Sequence, residues 1–600
     1  MSAPAAGPID PGEKGVPPAP APDANIQVLA LPLAFTVLLA AFGAVPAVRA
    51  NPRLLWSFWG VAAGLLLWNG ALALAAASSG RALTARLVIR RPHWLQPIVQ
   101  GTIYVYWGWH WQQVRDSAYL IAAQLVFAYA FDMLLAWSRD DEYELGFGPF
   151  PIILSINLFL WFKPDWFYWQ FALVALGFAV KRLVRWKKDG YLAHIFNPSS
   201  FPLAIISAAL LLTGTTDHTW GVEIANTLAQ PAHMYLLLFV VSIPGQILFG
   251  VASMSMPAVV TTYLLSAIYF LFTGTYYFVS TIPTAAFRGM LLLFTDPSTA
   301  PKSELGRIIY GVLYGLSIFV LYGLLDLLGL PLFYDKLLFV PFLNLAVRAL
   351  DRLAQSPRLS RINTASLAPW LTGRKRNAAL AVVWGAAFAV LLALHGVGDD
   401  NAGNHLPFWL TACAEGRRNG CRNMETVESD LCEHGGAWAC NELGIRLLQP
   451  GRTEPAQRAL DSFQRACQLR FRPGCSNLQL AHLGPAVLVH APPDLEDYQH
   501  LIDNRGLPNS RTGLQELQWA CEQGWTDACS TLELLARSRD SSGAAGPSRL
   551  EQECVSGNPR SCQVLGQMYR AGDGVQRDDQ RALACSLGLA AKCVRESATR

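Results

Sequence analysis

The first 412 residues of this 600-residue chain contain no cysteine, and only 15% of all its residues are charged. The missing thiols leave no iron–sulfur motif in that stretch. The charge deficit, against about 25% in a typical soluble chain, combines with 52% hydrophobic content to make a membrane protein the first class to test. A net charge of +4 is too small to indicate nucleic acid, and no basic run carries interleaved aromatics or a motif that would read one. A glycine-rich dinucleotide loop is also missing. Neither a basic leader nor a small-residue cleavage site precedes the first apolar run, which therefore reads as a retained membrane helix.

All twelve cysteines lie between Cys413 and Cys593. They fall into pairs of one spacing, i and i+8: Cys413 with Cys421, Cys432 with Cys440, Cys467 with Cys475, Cys521 with Cys529, Cys554 with Cys562 and Cys585 with Cys593. Zinc sites place two to four residues between ligands and recruit histidines, so no metal site is expected. A fixed spacing with an even count reads as a disulfide framework, which needs an oxidising compartment.

Residues 1–25 are rich in Pro, Ala and Gly and read as a disordered tail. Apolar runs long enough to cross a bilayer follow near 27–48, 54–78, 116–137, 165–183, 197–214, 233–254, 256–275, 279–296, 308–329, 332–348 and 378–397. The fold class expected is all-α, a polytopic bundle of about 10–11 spans in two pseudo-symmetric halves, followed by a disulfide-linked solenoid. Segment 149–163 is short and flanked by proline, which suits a re-entrant piece, and Tyr104–Trp111 (YVYWGWHW) reads as an aromatic belt. Basic residues mark three cytoplasmic loops: Arg81, Arg86, Arg90 and Arg91; Lys181, Arg182, Arg185, Lys187 and Lys188; and Arg348 through Arg376. The same count puts Asp140, Asp141, Glu142 and Glu144 on the opposite side. Arg49 and Arg53 fall on the wrong side, so the first hairpin is the weakest part of this topology. The last span runs from Arg374-Lys375-Arg376 to Asp399-Asp400 and sends the remainder outward, the side the cysteines also require. The expectation is a multi-pass protein of the bacterial inner membrane, N-terminus cytoplasmic and C-terminal domain periplasmic. Its domains are a tail at 1–25, a transmembrane domain at 26–352, a basic loop at 353–377, the last span at 378–397 and a repeat domain at 405–600.

Two segments share the pattern [ND]-P-S-[ST]-x-P: Asn197-Pro198-Ser199-Ser200-Phe201-Pro202 and Asp296-Pro297-Ser298-Thr299-Ala300-Pro301. Proline-broken apolar segments recurring in two halves point to an internal repeat with a site near its interface, because irregular backbone at membrane depth must be satisfied by protein or a cavity. Asn197, Ser199, Ser200, Thr295, Asp296, Ser298 and Thr299 are therefore candidate cofactor or ligand residues. Hydropathy puts both motifs near one face, whereas an inverted repeat puts them on opposite faces. Asp132, inside FAYAFDMLLAW, joins the candidates because a carboxylate in hydrocarbon marks either a pathway or a paired helix contact. Asp326, near a span end, reads as structural, as does His110 among its aromatics. No catalytic residue can be named.

FTDPSTAPKSELGRIIYGVLYG and FVPFLNLAVRALDR resemble the C-terminal half of the flavin-carrying membrane subunits of Rnf electron-transport complexes and sodium-pumping NADH:quinone reductases. HIFNPSSFPLA is similar to that family's first Asn-Pro segment, and the likeness extends to the branch found in enediyne biosynthesis clusters. It covers about 120–352 and implies a two-repeat membrane fold with a flavin or quinone role. The family attaches FMN to a Thr in an Ala-Thr sequence. Thr213–Trp220, the corresponding stretch, contains none, which argues against covalent FMN and leaves a non-covalent flavin open. Residues 561–593 resemble the Sel1-like repeat at Leu565, Gly566, Met568, Tyr569, Gly572, Gly574, Val575, Asp578 and Ala582, and 440–475 does so at Leu443, Gly444 and Ala459. The Cys-x7-Cys joints resemble those of cysteine-rich envelope proteins built on this tetratricopeptide-related unit. Such a stack implies protein docking.

The function expected is an integral subunit of an envelope complex related to electron transport, in contact with the bilayer and with membrane or periplasmic proteins, but not with nucleic acid. The alternatives are a non-enzymatic scaffold, or a transporter or channel on the same core.

Overall fold

The computed structural model describes residues 24–490 and 546–593, apart from 90, 189–190, 230, 232, 358, 360–372, 405, 434–435, 450–455, 470, 557–558 and scattered positions after 571. The tail at 1–23 lies outside the described residues, as do Gly572 and Gly574 of the repeat motif. Cys521 and Cys529, expected to form a sixth disulfide, also lie outside the described residues.

The described chain is mostly helical. In order, the membrane-type region contains α1 (Ala24–Ala41), α2 (Pro52–Ser79), α3 (Arg91–His110), α4 (Ala118–Trp137), α5 (Pro149–Asn157), α6 (Tyr168–Leu183), α7 (Ser200–Thr213), α8 (Gly221–Ala229), α9 (Met234–Phe249), α10 (Ala252–Thr273), α11 (Thr284–Leu292), α12 (Glu304–Leu327), α13 (Val340–Ala354) and α14 (Gly373–Ala393). Two small ribbons accompany them: β1 (Thr84–Leu87) pairs in parallel with β2 (Glu142–Leu145), and β3 (Arg185–Lys188) pairs antiparallel with β4 (Tyr191–His194).

Helix boundaries follow local chemistry. Asn51 caps α2 by accepting from Leu54 N–H at 3.1 Å, Pro52 supplies the first turn, and Gly80 at φ 65° ends it. Ser303 caps α12 through Gly306 N–H at 3.3 Å. The packing of α10 on α12 depends on Gly311 and Gly315, where an added Cβ would lie 2.2 Å and 2.4 Å from the carbonyl oxygens of Met254 and Ala258. That i, i+4 glycine pair lets two backbones approach without side chains between them.

Among the described residues five helices are long and apolar enough to cross a membrane, α2, α4, α10, α12 and α14; the pair α8 and α9, bent by 98°, makes up to six. Eleven such runs were expected. The shortfall arises where proline and glycine break apolar sequence into half-helices. The run at 279–296 is α11 with irregular chain on both sides, and that at 197–214 begins with a turn before α7; segment 149–163, read as a re-entrant piece and not as a span, is α5 followed by irregular chain.

A correction concerns the acidic loop. Asp141 pairs with Arg81 at 2.7 Å and Asp140 with Arg182 at 2.7 Å, so this loop shares a face with the basic loops. The cause is α3. Its aromatic run, read as a belt, belongs to a 20-residue helix with Trp107 fully buried and Trp109 79% exposed. That additional traverse reverses the sense of α4. The face bearing Arg81, Arg182, Lys187 and Arg348 is called the basic face below.

From the opposite face rises a second set of helices: α15 (Leu406–Ala414), α16 (Gly420–Glu433), α17 (Ala437–Leu447), α18 (Ala456–Gln468), α19 (Arg472–Leu480), α20 (Gly546–Val555) and α21 (Pro559–Ala571). Their cores are separate from the large core that runs from Leu29 to Val397. Disulfides join Cys413 to Cys421, Cys432 to Cys440, Cys467 to Cys475, Cys554 to Cys562 and Cys585 to Cys593. The first four each tie a helix end to the next helix's opening turns.

The two regions are bolted together. Asn423 Nδ2 donates to Phe278 O at 3.0 Å, Thr275 Oγ1 to Arg418 O at 2.9 Å and Asn401 Nδ2 to Thr281 Oγ1 at 2.8 Å. Arg422 pairs with Asp326 at the end of α12. All but the last contact the 274–283 loop that leads into α11.

Candidate functional site

The two Pro-Ser motifs adopt the same local structure. Asn197 Oδ1 accepts from Ser199 N–H at 2.9 Å, Ser199 Oγ at 2.8 Å and Ser200 N–H at 3.2 Å. Asp296 Oδ1 accepts from Ser298 N–H at 3.0 Å and Ser298 Oγ at 2.6 Å, and Thr299 Oγ1 donates to Asp296 Oδ2 at 3.2 Å. Each is an Asx turn, the route by which Asn and Asp satisfy backbone donors outside a helix.

They also meet. Asn197 Nδ2 donates to Leu293 O at 2.9 Å, and its backbone N–H to Asn344 Oδ1 at 3.1 Å. Asn344 Nδ2 in turn donates to Tyr310 Oη at 2.9 Å and to Thr299 O at 3.4 Å. His194, at the end of β4, lies 2.8 Å from Ser298 Oγ and 3.5 Å from Asp296 Oδ2. Burial alone raises the Asp296 carboxyl, but hydrogen bonding and charge from His194, with two bonds from Ser298, outweigh it and hold the group down at about 2. Both motifs therefore lie on the basic face and form one polar junction, which decides the same-face alternative.

The remaining nominated residues are dispersed. Thr295 Oγ1 donates back to Leu291 O at 2.8 Å, closing the last turn of α11. Ser200 Oγ is buried with no partner. Asp132 is apart from the junction and accepts from Tyr143 Oη on β2 at 3.1 Å.

A second cluster escaped the sequence reading. Arg288, on α11, is 0% exposed, and its guanidinium carbon lies 4.2 Å from the centre of the Phe159 ring, just past α5. Next to it on α11, Gly289 faces Tyr314 and Lys336. Lys336 Nζ pairs with Asp335 Oδ1 at 2.8 Å and donates to Phe333 O at 2.6 Å. Tyr314 Oη donates to Lys336 O at 2.9 Å. An arginine inside an apolar run carries the same signal that nominated Asp132, so Arg288 was findable. Asn344 and His194 were not, since neither sequence neighbourhood suggests a partner a hundred or more residues away.

On the opposite face, a cavity of about 60 Å³ is lined by residues including Trp111, Gln124, Asn157, Trp161, Phe162 and Trp220. Its amide floor is saturated: Gln124 and Asn157 bond reciprocally at 3.0 Å and 2.8 Å, and Gln170 Nε2 donates to Gln124 Oε1 at 3.0 Å. Among the described residues no group of three or more His, Cys, Asp or Glu side chains could hold a metal ion. Compared with known proteins, the chain matches no family model, no curated protein and no solved structure.

Proposed function

We propose that this chain is a bacterial inner-membrane subunit of an envelope complex, built on a flavin- or quinone-type electron-transport core, whose periplasmic Sel1-like helical repeats dock a partner protein. One observation carries the reading: helices of 20, 9, 16 and 14 residues in α4–α5–α6–α7 are matched by helices of 22, 9, 24 and 15 residues in α10–α11–α12–α13, with a half-helix in second place each time. The first series opens toward the basic face and the second away from it, as in an inverted repeat; the two Pro-Ser motifs hold different places in the two series, one between α6 and α7 and the other between α11 and α12, so they are not repeat equivalents and can share a face. Such repeats place their sites where the broken elements converge, and the Asn197–Asp296 junction and the Arg288 cluster both lie at breaks.

Orientation rests on the basic start of α14 at Arg374–Arg376 and on disulfides in the region beyond it. Thr213–Trp220 supplies no Ala-Thr, so a flavin is held non-covalently. Electrons pass to and from partner subunits, because this chain contributes no nicotinamide loop and no iron–sulfur motif.

The test is the absorption spectrum of the detergent-purified full chain taken from its native membrane. A flavin or haem band in constant ratio to protein supports the redox core. A colourless protein that captures envelope partners through 400–600 rejects it and leaves the scaffold. The transporter reading has an observation of its own, the charged cluster around Arg288.

A further inference from the structure

We infer that Arg288 is the anchor of a binding site for an oxyanion, a carboxylate or phosphate group, inside the membrane-embedded core. Of the charged side chains buried among the described residues, Asp132 bonds Tyr143, Glu304 pairs with Arg376, Asp335 with Lys336, Glu428 with Arg446 and Glu442 with His490. Glu304 also lacks a hydrogen bond on either oxygen but has Arg376 at 3.3 Å, whereas Arg288 has no hydrogen-bond partner on Nε, Nη1 or Nη2 and pairs with no carboxylate among the described residues.

Its neighbours cannot compensate it. Asp335 is committed to Lys336, accepting from both Nζ and the backbone N–H at 2.8 Å and 2.7 Å. The hydroxyls of Tyr104 and Tyr314 donate to the carbonyls of Leu154 and Lys336. Arg288 and Lys336 against Asp335 leave the cluster with one positive charge in excess. Stacking on Phe159 returns only part of what burying a guanidinium costs, and arginine keeps its charge where lysine can lose a proton. A planar fork of five N–H donors is matched by an oxygen pair on one atom.

The placement suggests how a ligand arrives. Phe159, which covers the guanidinium, belongs to the segment whose Asn157, Trp161 and Phe162 line the 60 Å³ cavity. Phe159 thus carries the cation on its ring, while Asn157 and Trp161, two residues to either side, line that cavity. The inference does not depend on a redox role.

The experiment is thermal melting of the detergent-purified full chain at constant ionic strength, in chloride, acetate or inorganic phosphate, and in micelles doped with phosphatidylglycerol or phosphatidylcholine. A ligand bound only by the folded state raises the melting temperature. We expect a rise of several degrees with at least one oxyanion over chloride or with phosphatidylglycerol over phosphatidylcholine, saturating at millimolar concentration. Response to acetate or phosphate assigns a soluble ligand, and response to phosphatidylglycerol alone assigns a lipid headgroup. Arg288→Met should melt higher than the parent in chloride and lose the shift, while Arg288→Lys keeps a smaller one. If Arg288→Met does not fold, the parent and Arg288→Lys decide. No saturable shift in the parent, or an undiminished shift in either variant, overturns the site.

Discussion

The backbone N–H of Asn197 donates to the side-chain oxygen of Asn344 at 3.1 Å, across 147 positions of sequence. The Asn197 side chain meanwhile serves its own turn and the carbonyl of Leu293. Two breaks in the helical ladder, before α7 and after α11, are thus satisfied by side-chain amides in a buried setting where water does not substitute.

Asn197→Ala removes an acceptor shared by three donors and the donor to Leu293 O. Leaving such groups buried and unmet costs roughly 2–4 kcal/mol. The melting temperature in detergent should fall by several degrees, whereas Thr213→Ala, whose hydroxyl is exposed, should change it little. Asn197→Asp retains the Asx turn but loses the amide donor, and should fall between them.

Asp296 makes this junction pH-sensitive. Its folded-state value is lowered to about 2, so the stability it contributes is present above its ordinary value near 4 and is lost as pH falls from about 4 to about 2. The amount is about 2 kcal/mol, for a side chain only 22% exposed. A melting-temperature profile should steepen in that window, and His194→Ala should flatten it. An unchanged profile would separate His194 from Asp296.

The residues of this junction stood out in sequence as a recurring Pro-Ser pattern and were read as ligand candidates; the Asx turns they form are local chemistry, since the hydrogen-bond pattern within each motif needs only its own few residues. The meeting of the motifs was not legible, since it depends on how α7 and α13 pack. Membrane character and the disulfide spacing were legible for similar local reasons. Eleven apolar runs stand against five or six helices of crossing length among the described residues because apolar content and helix length part company. Apolar runs such as 197–214 and 279–296 are too broken to be long helices, and α3 is too polar in its first half to look like a span although it is helical throughout.

The outer region contains a buried ion pair whose partners are not independently replaceable. Arg446 meets Glu428 through a fork, Nε to Oε2 at 2.7 Å and Nη2 to Oε1 at 2.8 Å, with the carboxylate 1% exposed. Burial raises the Glu428 carboxyl and Arg446 opposes that rise. Arg446→Ala should destabilise by about 3–5 kcal/mol, because it strands a buried charge, while Glu428→Leu with Arg446→Met should be near neutral. Chemical denaturation monitored by fluorescence of the tryptophans would separate these outcomes.

The disulfides should differ in resistance to reductant according to burial. Cys421 is exposed, whereas Cys432 and Cys440 are 5% and 0% exposed. Alkylation and mass spectrometry after graded reductant should show Cys413–Cys421 opening first and Cys432–Cys440 late. Replacing the latter pair by serine should cost about 2–3 kcal/mol on chain-entropy grounds for so short a loop.

Docking of the outer region on the membrane core turns on a glycine. At Gly403 an added Cβ would stand 2.1 Å from the carbonyl oxygen of Val279, with the Tyr276 ring at 2.9 Å. Both neighbours belong to the loop before α11, and Tyr276 is held between Phe408 and Trp409. A backbone oxygen has no rotamer by which to yield, so Gly403→Ala must push the 401–404 turn off the loop. The bonds from Asn401 to Thr281 and from Trp409 Nε1 to Gly403 O, 2.8 Å and 2.7 Å, are the ones at risk. Because the disulfides Cys432–Cys440 and Cys467–Cys475 and the small cores around Leu443 and Phe463 hold α16 to α19 together without this contact, the outer helices should stay folded while their attachment loosens. Hydrogen exchange should therefore quicken in 274–283 and in the first turn of α11, leaving α17 and α18 protected. Loss of protection in α17 and α18 as well would mean that the outer region depends on the membrane core for its fold, and equal protection everywhere would mean that Gly403 is not the point of contact.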